Sequence, residues 1–199
     1  MNDLYAKEKL PAGYVRSEKM DLIKNKKQMI FVNALAAVLA VALILLGIAI
    51  QPEDASAALI IKQNPLAFAL KCLVASVGCF AYIVAHEAVH GIFMWHYSRI
   101  KPRFGVAFTY AYAGSDCFFA RTPYLVIALA PVATWFVAFG AITALVPADW
   151  FWVVWFLQIM NISGAAGDFY VFARILRMPQ TVLVQDTGTA MTVYLPQNA

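Results

Sequence analysis

The sequence predicts an all-α polytopic membrane protein of four transmembrane helices, with short β-hairpins in a cytoplasmic loop and in the C-terminal tail. Two observations predict that class. Hydrophobic residues make up 62% of the 199 residues and charged residues only 13%, against about a quarter charged in a soluble domain. The apolar residues are also gathered into four blocks, each long enough to cross a hydrocarbon core about 30 Å thick. A soluble globular class is excluded.

The first block, Met29 to Ile50, has Asn33 as its most polar residue. Its apolar run is about twice the length of a signal-peptide core, and a basic segment precedes it, so it reads as an uncleaved anchor. The second block runs from Pro65 to Tyr97. The third, Tyr124 to Val146, contains Pro131, a kink that neighbouring helices relieve. The fourth spans Trp150 to Leu176. The chain thus divides into a basic N-terminal segment (1–28), a membrane domain (29–176) and a tail (177–199).

Lysine and arginine orient the helices. Residues 1–28 carry seven: Lys7, Lys9, Arg16, Lys19, Lys24, Lys26 and Lys27. The loop after the second block adds Arg99, Lys101, Arg103 and Arg121, and the C-terminal end adds Arg174 and Arg177. The loop around Glu53 and Asp54 has only Lys62. Both termini are therefore expected in the cytoplasm. The net charge of +4 follows membrane flanks, so the lipid bilayer is the partner it implies and nucleic acid is not. Three cysteines, Cys72, Cys79 and Cys117, imply no disulfide framework.

Inside the second block lies "YIVAHEAVHGIFMW", with His86, Glu87 and His90 in the pattern H-E-x-x-H. Each is costly in an apolar helix unless it is paired or functional. Residues four apart share a helix face, so both imidazoles can bind one zinc ion. Glu87 lies about 100° round the turn. There it can take a proton from the water that the metal activates and return it to a leaving amine.

A hydrolytic zinc needs a third protein ligand. No glutamate follows Glu87. His96 has the spacing of a third histidine, but Phe93 occupies the glycine position that would let the chain turn back. Asp116 sits in a loop, Asp149 at the outer face and Asp186 in the tail. Asp168 is embedded in the fourth block, within "NISGAAGDF". His86 lies 21 residues after Pro65 and Asp168 lies 19 after Asp149. The depths are about 32 and 29 Å, so the two meet near the cytoplasmic edge. Gly164 to Gly167 leave a bare surface for close helix approach. Asn161, on the same face as Asp168, either orients a ligand or substrate backbone, or forms an interhelical hydrogen bond.

With these residues the chain resembles the site-2 protease group of intramembrane zinc metalloproteases. That group has H-E-x-x-H on its first core helix and a ligand aspartate on its third. Within that likeness, the chain resembles the small bacterial membrane proteins called putative zincin peptidases, over residues 65–176. The resemblance implies that His86, His90 and Asp168 bind Zn2+ and that Glu87 is the general acid/base. The expected function is hydrolysis of membrane-protein or peptide substrates near the cytoplasmic face. The alternative is a non-catalytic metal-binding regulator or adaptor. A metal transporter is disfavoured, because the first and third blocks lack carboxylates and imidazoles.

Two weaker patterns remain. Residues 104–120 alternate around Val106, Phe108, Tyr110 and Tyr112 before the turn-forming run Ala113 to Asp116, which predicts a hairpin beside the metal site. Its edge could add an unwound substrate as a strand. The tail predicts a second hairpin turning at Asp186-Thr187-Gly188, to which no chemistry is assigned.

Overall fold

The computed structural model describes residues 5–21, 25–52, 64–106, 111–188 and 190–197. Lys24, the Glu53–Asp54 loop with Lys62, and Phe108 and Tyr110 lie outside the described residues. The chain is mostly helical with some strands. Among the described residues, three helices are long and apolar enough to cross a membrane: α1 (Lys26–Ile50), α2 (Pro65–Ser98) and α3 (Arg121–Leu145).

Asparagine starts the first two. The Asn25 side-chain oxygen accepts the N–H groups of Lys27 and Gln28, and Asn64 accepts that of Ala67, satisfying donors that a helix start leaves open. Along α1, Ile30, Val38 and Leu45 are each more than 60% exposed. Lipid, not water, suits such a surface. Helix α2 runs 34 residues without a break, about 51 Å. It stops where Arg99 takes a positive φ of 59°.

The fourth apolar block departs from expectation. It forms two helices, α4 (Phe151–Gly164) and α5 (Ala166–Leu176), separated at Ala165 (φ −83°, ψ 14°). The expected helix-packing surface is therefore partly a break. A Cβ on Gly164 would meet nothing within 4 Å, so no close approach occurs there. Gly164 and Gly167 flank the break, and each is about 1 kcal/mol less favourable than alanine inside a helix.

An all-α fold also needs correction. Among the described residues there are seven strands: β1 (Ala6–Lys7), β2 (Tyr14–Met20), β3 (Arg103–Val106), β4 (Ala111–Gly114), β5 (Phe118–Ala120), β6 (Leu183–Asp186) and β7 (Met191–Pro196). Five form a sheet in the order β1-β5-β6-β7-β2, with each neighbouring pair antiparallel. The N-terminal segment, read from its charge alone, supplies both edge strands. Charged residues such as Arg16, Glu18 and Lys19 are what a solvent-facing edge strand tolerates.

The β3–β4 hairpin reverses between Val106 and Ala111, earlier than expected. Ala113 and Gly114 are strand residues, and period-two alternation does not mark where one strand ends. The tail hairpin turns after Asp186, with Gly188 at φ +83°.

The chain divides into two units. One comprises residues 1–32, 84–131 and 167–199; the other comprises 33–83 and 132–166. The core of the first packs Met94, Phe119, Tyr124, Ile127, Ile175 and Val184. Arg121, at the start of α3, donates to the carbonyls of Ile175 and Leu176 and so caps α5. The core of the second centres on Tyr82, Phe139 and Val154. There Gly47 gives the Trp155 indole room to donate to the Leu43 carbonyl at 2.9 Å.

Candidate metal centre

The first unit holds both histidines, Glu87 and Asp168. The H-E-x-x-H turn lies in the unbroken second half of α2. Asp168 lies in the first turn of α5, where the positive end of the helix dipole favours a carboxylate. The break at Ala165 therefore gives Asp168 a helix start of its own.

His86 Nε2 lies 3.3 Å from Asp168 Oδ2, and His90 Nε2 lies 3.6 Å from Asp168 Oδ1. One ligand atom from each of the three residues falls within 4.8 Å of the others. Tetrahedral ligands bonded at about 2.0–2.1 Å stand roughly 3.3–3.5 Å apart. The donor set of two imidazoles and one carboxylate also fits a catalytic zinc. His86 is buried.

His90 Nδ1 lies 2.9 Å from the Ile127 carbonyl oxygen. A carbonyl has no proton to give, so Nδ1 carries the hydrogen and donates it. That leaves the Nε2 lone pair for a cation.

Glu87 faces a cavity of about 170 Å³, lined among others by His90, Asp168, Tyr124, Asp186 and Met94. Its Oε2 accepts the Ala113 N–H of β4 at 2.8 Å. A bare surface at Gly91 permits the hairpin's approach, since a Cβ there would sit 2.3 Å from Phe104.

His96 lies further along α2 and packs its ring edge-on against Tyr97. Asp116 pairs with Arg103, and Asp149 pairs with Lys71 at 3.1 Å. None of these three belongs to the ligand cluster. Asn161 lies in the second unit. It accepts from the Tyr82 hydroxyl and donates to the Val132 carbonyl, both at 3.2 Å, so its amide makes interhelical hydrogen bonds.

Asp186 and Tyr124 are cavity residues to which sequence reasoning gave no role. The Tyr124 hydroxyl donates to Asp186 Oδ2 at 2.7 Å, and the Gly188 N–H donates to Oδ1 at 2.8 Å. Burial pushes the Asp186 carboxyl above the ordinary carboxylate range, against the opposing pull of those two donors. The only local signal was the Asp-Thr-Gly turn.

No curated protein and no solved structure matches the chain. The family described as putative zincin peptidase matches residues 79–183, just over half of the chain and all four residues of the H-E-x-x-H and aspartate constellation. With two imidazoles, a carboxylate and a glutamate gathered in one unit, and that family spanning all of them, the chain belongs to the putative zincin peptidase family, whose members are zinc-dependent peptidases by description.

Proposed function

We propose that this chain is a membrane-embedded zinc endopeptidase that cuts membrane-protein segments near the cytoplasmic face. The convergence of His86, His90 and Asp168, with Glu87 lining one cavity beside His90 and Asp168, carries the reading. Zinc, when bound, polarises a carbonyl and acidifies water. The protein's own residues do the rest. The two imidazoles and Asp168 hold the cation, and Glu87 moves the proton from the attacking water to the leaving amine. The Ala113 N–H fixes the Glu87 carboxylate. An exposed edge of the β3–β4 hairpin offers backbone pairing to a substrate stretched out of its helix, which exposes its peptide bonds.

Four crossings are part of the reading. Strands from residues 6–20, 118–120 and 183–196 share one sheet, which supports a reading with these stretches on one side of a bilayer. Helices α1 and α2 leave that side and return. Helix α3 leaves again, and in this reading α4 with α5 bring the chain back. The two helices hold 14 and 11 residues, about 21 and 16 Å.

The test is a purified transmembrane peptide incubated with the protein, with cut sites read by mass spectrometry. Cleavage near the cytoplasmic end of the segment, stopped by a zinc chelator and restored by zinc, is expected. Zinc binding without cleavage of any such peptide would favour the regulator instead.

A further inference from the structure

Pro131 stands inside α3, and a helix interior tolerates proline poorly. It lacks the N–H that would bond the carbonyl four residues back. That carbonyl belongs to Ile127, whose residue is 1% exposed. A buried carbonyl without a partner is costly. In this chain its oxygen receives the Nδ1–H of His90 at 2.9 Å. We propose that Pro131 is a positioning residue for the metal centre: by withholding one helical hydrogen bond it reserves the Ile127 carbonyl to fix the tautomer and ring orientation of His90.

The geometry carries each step. Residue 131 is four beyond residue 127, so no other residue of α3 is the standard helical donor to that oxygen. His90 Nδ1 must donate, because a carbonyl only accepts. Its Nε2 is then the atom turned towards Asp168, 3.6 Å from Oδ1. With any other residue at 131, a main-chain N–H would compete for the same oxygen. The imidazole would then share that oxygen, and its orienting bond would weaken and turn away from the lone pair it now uses, although His86, His90 and Asp168 themselves are untouched. Loss of such an outer partner typically weakens metal affinity about 10–100-fold.

The inference rests on the proposed metal centre and is tested apart from catalysis. Zinc affinity is measured by chelator competition on the full-length protein, in the wild type, in Pro131→Ala, and with lactic acid at position 131. The lactate variant has an ester in place of the amide and therefore also lacks the N–H. Pro131→Ala should bind zinc about 10–100-fold more weakly with no loss of thermal stability, whereas the ester should bind like the wild type. In the metal-free protein, histidine nitrogen NMR should find the His90 Nδ1 proton protected in the wild type and ester and exchanging in Pro131→Ala. Unchanged affinity in Pro131→Ala would overturn the proposal. So would an ester variant as weak as the alanine variant, because the ring or kink would then matter and not the missing donor. If Pro131→Ala fails to fold, the ester decides alone: wild-type affinity supports the role and weakened affinity refutes it. A wild-type protein that takes up no zinc would sink the metal centre, while the Nδ1 signal still decides what Pro131 does.

Discussion

A carboxylate placed 3.3 and 3.6 Å from two imidazole nitrogens either pairs with their protons or shares a cation with them. The two cases differ in what removal of Asp168 does. If it is a ligand, Asp168→Ala loses most of its zinc and all detectable cleavage, whereas His96→Ala retains its metal. His96 is ten residues beyond His86 on one unbroken helix, about 15 Å away along the axis. An Asp168→Ala protein carrying a full equivalent of zinc by elemental analysis would refute the assignment. Asp186 invites a different test. Its carboxyl is pushed up by burial, so the folded state binds a proton more tightly than the unfolded state. The stability this contributes is fully present below the ordinary carboxylate pKa and is lost as pH rises through the raised one. Asp186→Asn should therefore gain in thermal midpoint over the wild type as pH rises through that window. A constant difference across pH would show that the carboxyl does not titrate this way. The contrast between these two aspartates also explains what was legible in the sequence. His86, Glu87, His90 and Asp168 stood out because their spacing is local or their place in an apolar block is costly. Asp186 meets Tyr124 from 62 residues away, through a sheet register that no local pattern encodes.

Elements meet at this site where side chains are missing. A Cβ on Gly114 would lie 2.4 Å from the Thr187 backbone, and one on Gly188 would lie 2.4 Å from the Tyr112 ring. The β3–β4 hairpin and the tail turn thus touch through two glycines. Backbone cannot swing aside as a side chain can. Gly114→Ala should cost about 1–3 kcal/mol, read as a lower thermal midpoint in detergent; an unchanged midpoint would mean that the turn is free to move. At this scale the sequence was a partial guide. Long apolar runs marked α1, α2 and α3, and the tail hairpin followed from its Asp-Thr-Gly turn. The break at Ala165 was not legible, because Gly-Ala-Ala-Gly suits a packing surface as well as a helix end. Strand β2 was not legible either. Its charges masked a pairing with β7, whose residues Tyr14 and Pro196 stand opposite each other from the two ends of the chain.

For the whole molecule, the proposed four crossings put both terminal segments, which share a sheet with β5, on one side of the bilayer, and the lysine and arginine pattern leads us to expect that side to be the cytoplasm. Cysteines introduced singly near Glu53 should react with an impermeant reagent in intact cells, and those near Gln197 only after permeabilisation. The same accessibility at both places would contradict the four-crossing reading. The proposed enzyme reduces to one comparison, because Glu87 is assigned to moving protons without holding metal. Zinc content and cleavage of a transmembrane peptide should be measured on the same preparations of wild type and Glu87→Gln. Both proteins should carry equal zinc, and the variant's cleavage rate should fall about 10²–10⁴-fold. A Glu87→Gln protein that holds zinc and cleaves at the wild-type rate would contradict the account.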